Sequence, residues 1–155
     1  MNDPTRNTGA GAGDELNELI EVMSEAASAF IGGRMHRYFE LMNHTDDFTL
    51  MPPTGGDTIH GQAATDDVID EMVRFFKSGT AVLEIAETYA SGDLAVLVAV
   101  ERQQGEVGDH PVQDWSLRVT LVFRREAAGW RLAHRHADAL VHPISFDQLA
   151  ALARG

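Results

Sequence analysis

The sequence predicts an α+β domain in which three N-terminal helices pack on one face of a mixed or antiparallel sheet. Two patterns carry this prediction. Apolar residues recur at helical spacing in three early segments, and from residue 80 onward they alternate with the period of a strand along four long stretches. Three helices can fill one side of such a sheet only if the sheet curves strongly.

The helices are predicted from their apolar stripes and from the residues that end them. The first runs for about 18 residues and ends at Gly32-Gly33, and the third ends at Ser78-Gly79. A final short helix follows Pro143. We read residues 1–13 as a disordered leader, which leaves a single domain over residues 14–155. The stripes are Leu16, Leu19, Ile20, Met23, Ala27, Phe30 and Ile31, then Met35, Tyr38, Phe39 and Met42, then Val68, Ile69, Met72, Val73 and Phe76.

The strands are bounded by proline and glycine turns. A first strand over residues 48–51 ends at Pro52-Pro53, and a tight turn at residues 91–93 joins strands predicted over residues 80–90 and 94–104. The run LAVLVAV is apolar on both faces, so both faces must be covered. Its valines at 96, 98 and 100 therefore predict a homodimer that forms through the convex face of the sheet.

Composition limits the partners of the chain. Its formal net charge of −12 argues against binding to nucleic acid or to anionic lipid. It has no cysteine and no apolar run near the roughly 18 residues of a membrane span. We expect a cytoplasmic protein with no cofactor and no metal.

The hairpin from Trp115 to Leu140 holds the candidate site. Strict alternation along its second arm predicts that Trp130 and Leu132 share a face with three polar residues, namely His134, His136 and Asp138. The arginines at 118, 124, 131 and 135 then lie on the other face, where they pair with Glu84, Glu87, Glu101 or a partner subunit. A bulge would change this assignment and bring Arg118 into the pocket.

The polar face of the hairpin allows three interpretations. His134 or His136, with Asp138 as partner, could serve as acid and base near neutral pH. Alternatively, both histidines belong to the core or the pocket wall and have no chemical role. Metal binding is the third interpretation, but no second ligand motif accompanies the H-x-H spacing. The residues predicted to line a pocket, or simply the core, are Tyr38, Met51, Phe76, Trp115, Leu121 and Leu132.

Several segments in a fixed order resemble a known family. DDFTLMPPTGG followed by HG, SGD, and RVTLVFRREAAGWRLAHRHAD are similar to the SnoaL-like and ketosteroid-isomerase-like group of nuclear transport factor 2-like proteins, over about residues 14–142. The resemblance implies a cone-shaped fold, a bent sheet around a pocket, and dimers formed through the outer face. The HRHAD ending also resembles the association domain of calcium/calmodulin-dependent kinase.

The catalytic groups of the ketosteroid isomerases have no match at the corresponding positions. The base would fall at Pro52, the aspartate of the oxyanion hole at about Leu121, and residues 14–31 contain no tyrosine. Proton abstraction needs a base within hydrogen-bond reach, and none of these positions carries the residue type that the isomerases use. We therefore expect no isomerase chemistry of that kind.

Three functions stay open at this point. The first is the binding of a small apolar or weakly polar molecule in the cone, without established catalysis. The second is a lyase or isomerase of the dehydratase or cyclase type that uses His134, His136 or Asp138. The third is a homo-oligomeric association module.

Overall fold

The computed structural model describes residues 10–61 and 65–155, and it contains four helices in this part of the chain. They are α1 (Ala10–Ile31), α2 (Met35–Leu41), α3 (Asp66–Phe75) and α4 (Phe146–Arg154). The first helix starts four residues before the predicted domain boundary, and residues 1–9 of the predicted leader lie outside the described residues. None of the described helices is long and apolar enough to cross a membrane.

Seven strands form one mixed sheet. They are β1 (His44–Met51), β2 (Ile59–His60), β3 (Phe76–Ser91), β4 (Leu94–Val107), β5 (His110–Asp114), β6 (Leu117–Glu126) and β7 (Gly129–Asp138). Their order is β2-β1-β7-β6-β4-β3, with β5 beside β4. Only β1 and β7 pair in parallel; the other described pairs are antiparallel. The predicted α+β fold is confirmed, and β4 continues to Val107, three residues beyond the predicted end of that strand at residue 104.

The two faces of the sheet differ in what covers them. The inner face, which packs against α1, carries fully buried side chains such as Leu97, Leu121 and Phe123. Burial of each such side chain contributes about 1.5–3 kcal/mol. The outer face carries the alternate residues of the same strands, among them Val96, Val98 and Val122, which are only half-buried.

One glycine sets how closely the helices approach the sheet. Gly33, between α1 and α2, has a φ of 75°, and a Cβ atom there would lie 2.0 Å from the carbonyl oxygen of Phe76. Only glycine meets both conditions, because other residues disfavour positive φ and no side chain fits at that distance. The end of α1 is therefore held directly against the start of β3.

Candidate functional site

A β-bulge in the last strand decides which side chains face the interior. Val122 is in register with His134, and the next residue of β6, Phe123, is in register with Leu132. Ala133 is thus an extra residue opposite the pair. Because one inserted residue reverses the alternation beyond it, Arg135 and Ala137 lie on the same face as Leu132.

The bulge moves the predicted catalytic residues to the outer face. His134, His136 and Asp138 are in register with Val122, Thr120 and Arg118. The prediction that they share a face with Leu132 is wrong, because that prediction assumed unbroken alternation. The bulge turns Arg135 inward rather than Arg118, as the alternative prediction had it. Arg118 is exposed and pairs with Asp138 on the outer face.

His134 and Asp138 each contact a neighbouring side chain on the outer face. The imidazole Nδ1 of His134 lies 2.8 Å from the hydroxyl of Thr49. Arg118 donates two hydrogen bonds of 2.9 Å to the carboxylate of Asp138, and these bonds lower the pKa of that carboxyl group. Any catalytic role for His134, His136 or Asp138 stays a prediction.

On the inner face, Arg135 forms a buried ion pair. Its guanidinium donates hydrogen bonds of 2.8 and 2.9 Å to the two carboxylate oxygens of Glu101. The side chain of Glu101 is 4% exposed and that of Arg135 is 18% exposed. The pair reaches across β6, because β6 lies between β4 and β7 in the sheet. Such a bidentate contact fixes the guanidinium plane as well as its position.

A second buried pair lies near the first. The hydroxyl of Tyr38 is 2.8 Å from the Nε2 of His44, and the His44 ring stacks on Phe48 with ring centres 4.0 Å apart. Burial, and then the charge of Arg135, lower the pKa of His44 to about 4. Burial raises the pKa of Tyr38 to about 12; Arg135 opposes this rise and Glu101 adds to it. At neutral pH both side chains are therefore uncharged.

We call these four residues, Tyr38, His44, Glu101 and Arg135, the interior polar cluster. The sequence predicted Tyr38 in the pocket lining and Glu101 as one of the partners of the arginines, including Arg135. It placed Arg135 on the wrong face of the strand, and it gave His44 no role. One usable signal was present: Glu101 continues the parity of Leu97 and Ala99 in β4, which predicts an inward carboxylate that needs a buried cation.

The other residues predicted to line a pocket lie in different surroundings. Leu121 and Leu132 are fully buried core residues, and Phe76 packs against Phe30 with ring centres 4.9 Å apart. Trp115 donates a hydrogen bond from its indole nitrogen to the carbonyl oxygen of Gly105. Met51 is 43% exposed and in register with His136, so its placement in the interior is wrong.

Two cavities open at the surface of the protein. One of about 280 Å³ lies between α1, the end of α2 and Trp130, and another of about 260 Å³ lies beside the edge of β3 and β4 near Arg102 and Asp114. Neither is lined by a residue of the interior polar cluster. Within residues 10–61 and 65–155, no group of three or more histidine, aspartate or glutamate side chains is arranged to hold a metal.

The family comparison agrees with this architecture. The family model for the SnoaL-like domain matches residues 19–141, which is most of the chain. The chain belongs to the SnoaL-like domain family. That match spans α2, the whole sheet and all four residues of the interior polar cluster, and it ends before α4. No curated protein resembles this SnoaL-like chain closely enough to count as a match.

Solved structures share the fold of this SnoaL-like domain. A nuclear transport factor 2-like superfamily protein from Salmonella enterica has a TM-score of 0.66 at 18% identity, covering 87% of this chain and 95% of its own. A cystatin-like protein from Novosphingobium aromaticivorans gives 0.64 at 21% identity, covering 97% and 99%. The association domain of the C. elegans calcium/calmodulin-dependent kinase II gives 0.58 at 15% identity, covering 84% and 99%. At these identities the likeness concerns the fold.

Proposed function

We propose that this SnoaL-like protein binds a small, mostly apolar molecule whose single polar group meets the interior polar cluster. The observation that carries the proposal is a buried Glu101–Arg135 ion pair beside a Tyr38–His44 hydrogen bond, next to the hydrophobic core. A buried ion pair generally adds no stability over apolar residues of the same size. Its presence therefore favours a role in recognition.

The protonation states favour binding over acid catalysis at this cluster. With a pKa of about 4, His44 holds no proton that it could donate as an imidazolium at neutral pH. Tyr38, with its pKa near 12, keeps its hydroxyl proton and can donate a hydrogen bond. An oxygen-bearing ligand, such as an alcohol, a ketone or a phenol, matches these groups. A ligand would reach the cluster at His44 and Arg135, because both side chains are partly exposed.

A matched pair of histidine substitutions tests the proposal. Native mass spectrometry of the purified protein is used first to look for a co-purified small molecule, and thermal-shift assays follow with a panel of small aromatic alcohols, ketones and phenols. We expect at least one compound to raise the melting temperature of the wild type and of His136→Gln. We expect Tyr38→Phe and His44→Gln to lose that rise, and a rise of equal size in all four proteins would overturn the proposal. A turnover lost only in His136→Gln would favour the lyase or isomerase alternative.

We also propose that two copies associate through the outer face. The half-buried valines at 96, 98, 100 and 122 support this proposal, since a sheet face that met only water would carry polar residues at these positions. The likeness to a kinase association domain adds a fold-level analogy. Analytical ultracentrifugation tests it: a monomer at all concentrations up to the millimolar range would rule out the association.

A further inference from the structure

The C-terminal helix α4 is well formed, but within residues 10–61 and 65–155 no surface covers it. Ser145 accepts a hydrogen bond from the backbone N–H of Gln148, and the Gln148 side chain accepts one from the Ser145 N–H, so the helix begins with a capping box. Nevertheless every residue from Ser145 to Gly155 is exposed. Isolated helices shorter than about 12–15 residues are marginal in water. A nine-residue helix of this kind needs a partner surface.

The exposed side of α4 is apolar along one stripe. Phe146, Leu149 and Leu152 follow one another at intervals of three residues, so they lie on the same side of the helix. Phe146 is 88% exposed and Leu152 is 63% exposed. The stripe also lies beyond the residues that match the SnoaL-like domain, which end at residue 141. The stripe is therefore an addition to the SnoaL-like domain itself.

A second apolar surface remains uncovered on the outer face. Tyr89 is in register with Val96, and Val96 with Val122, so these three side chains form one row across β3, β4 and β6. Val98 and Leu94 extend the row along β4 with the same parity. Tyr89 is 59% exposed and Leu94 is 47% exposed. We call Tyr89, Leu94, Val96, Val98 and Val122 the outer patch.

We propose that α4 of one copy packs its stripe on the outer patch of a second copy, and that the second copy returns the same contact. The proposal rests on the outer-face association proposed above and adds to it the segment that holds the two copies together. In this arrangement the stripe of each copy covers the outer patch of the other copy, so the contact is symmetric.

The size of the contact favours a second copy over an unrelated protein. One nine-residue helix with three apolar anchors covers much less than the about 800 Å² per partner of a stable interface. Exchange between two copies forms this contact twice, and contact between the two outer sheet faces adds further buried surface.

Charge argues against a membrane as the occupant. The chain carries a formal net charge of −12, and α4 holds one acidic and one basic residue, Asp147 and Arg154. Interfacial helices that bind anionic lipid are rich in lysine and arginine on their polar face. A near-neutral helix on an acidic protein instead fits the mixed apolar and polar outer face of a second copy.

Sedimentation equilibrium of full-length variants tests the role of the stripe. The variant Phe146→Gln/Leu149→Gln/Leu152→Gln removes the apolar anchors while it keeps good helix formers. The control Asp147→Gln/Arg154→Gln changes the polar side of the same helix. We expect the triple variant to raise the dimer dissociation constant about 10- to 100-fold, as loss of central apolar anchors does, and the control to stay within about threefold. An unchanged constant in the triple variant overturns this proposal but leaves the outer-face dimer standing. A monomeric wild type overturns both.

A spin label shows which chain α4 packs on. The sequence contains no cysteine, so Ala151→Cys, on the side of α4 away from the stripe, takes a single nitroxide. The labelled chain is unenriched and is mixed with unlabelled, isotope-enriched chain. We expect broadening of the Tyr89 and Val96 signals in the enriched chain. Broadening only when one chain carries both label and isotopes means that α4 folds onto its own sheet, which contradicts the exchange.

Discussion

Glu101 and Arg135 meet across an intervening strand and form a two-point ion pair on the inner face of the sheet, at 2.8 and 2.9 Å. Both residues are largely withdrawn from water, with 4% and 18% of their side chains exposed. The contact therefore places a full positive and a full negative charge among apolar side chains. It ties the position of β7 to that of β4, although the two strands do not pair directly.

Removal of one member of this pair is expected to cost more stability than removal of both. Glu101→Ala should lower the free energy of unfolding by about 3–5 kcal/mol, since it leaves a buried guanidinium without a partner. The double variant Glu101→Leu/Arg135→Met should recover most of that loss, because no charge then remains buried. Urea titration followed by circular dichroism measures both values. Equal losses in the single and double variants would contradict the buried-pair interpretation. The exposed pair Arg102–Glu84 is the control; Glu84→Ala should cost no more than about 1 kcal/mol.

The lowered pKa of His44 predicts a loss of stability in mild acid. The unfolded chain takes up a proton at His44 near its ordinary value of 6.5, whereas the folded chain does so only near pH 4. Between these values the unfolded state holds more protons, so the free energy of unfolding decreases as the pH falls. The contribution of His44 is constant above about pH 6.5 and fully lost below about pH 4. Because the imidazole keeps some contact with water, the change should be about 1–3 kcal/mol.

The difference between wild type and His44→Gln isolates this contribution. Other titrating groups affect both proteins alike, so the wild type alone should show the extra decrease between pH 6.5 and 4. Parallel curves in the two proteins would mean that His44 titrates like a histidine in water. The pKa itself can be checked by following the His44 ring signals in a nuclear magnetic resonance titration.

Deletion of Ala133 is expected to remove the bulge and keep the native fold. Without this extra residue the strand alternates regularly, so His134 stays on the outer face and Arg135 stays on the inner face. We expect a cooperative unfolding transition in calorimetry, at a lower temperature than in the wild type because a buried side chain is lost. Deletion of Thr120, in the regular part of β6, is the control: it turns the side chains of residues 117–119 to the opposite faces, so the cooperative transition should be lost. Loss of that transition on deletion of Ala133 would contradict the bulge assignment.

A pair of glycine substitutions tests the close approach of α1 to β3. Gly33→Ala adds a Cβ atom 2.0 Å from the Phe76 carbonyl oxygen at a positive φ, so it should cost about 3 kcal/mol or more. Gly55→Ala also falls at a positive φ, but nothing lies within 4 Å of its Cβ position. It should cost only about 1–2 kcal/mol. Chemical denaturation compares the two, and equal costs would show that the steric contact with Phe76 has no effect.

Local patterns were sufficient to predict most of the fold. The stripe around Met23, the turn at residues 91–93 and the alternation along β6 depend on neighbours in sequence, and each appears in the structure as expected. The predicted end of the third helix at Ser78-Gly79 is wrong, because Phe76 already belongs to β3, whose pairing with β4 overrides the helical spacing. The short strand β5 was not predicted, because its five residues are all exposed and show no alternation. Helix α4 was predicted correctly from its apolar spacing, yet that spacing could not indicate that the helix lies exposed.

Amino-acid order alone determined the α+β class and the position of the β6–β7 hairpin, since both follow from short-range periodicity. Tertiary structure decided which side of β7 faces the interior. That choice depends on one unpaired residue, Ala133, opposite the junction of Val122 and Phe123, and a bulge arises from pairing with a neighbouring strand. The interior polar cluster also depends on long-range pairing. Glu101 and Arg135 are 34 residues apart in sequence, and the order of β4, β6 and β7 in the sheet brings them together.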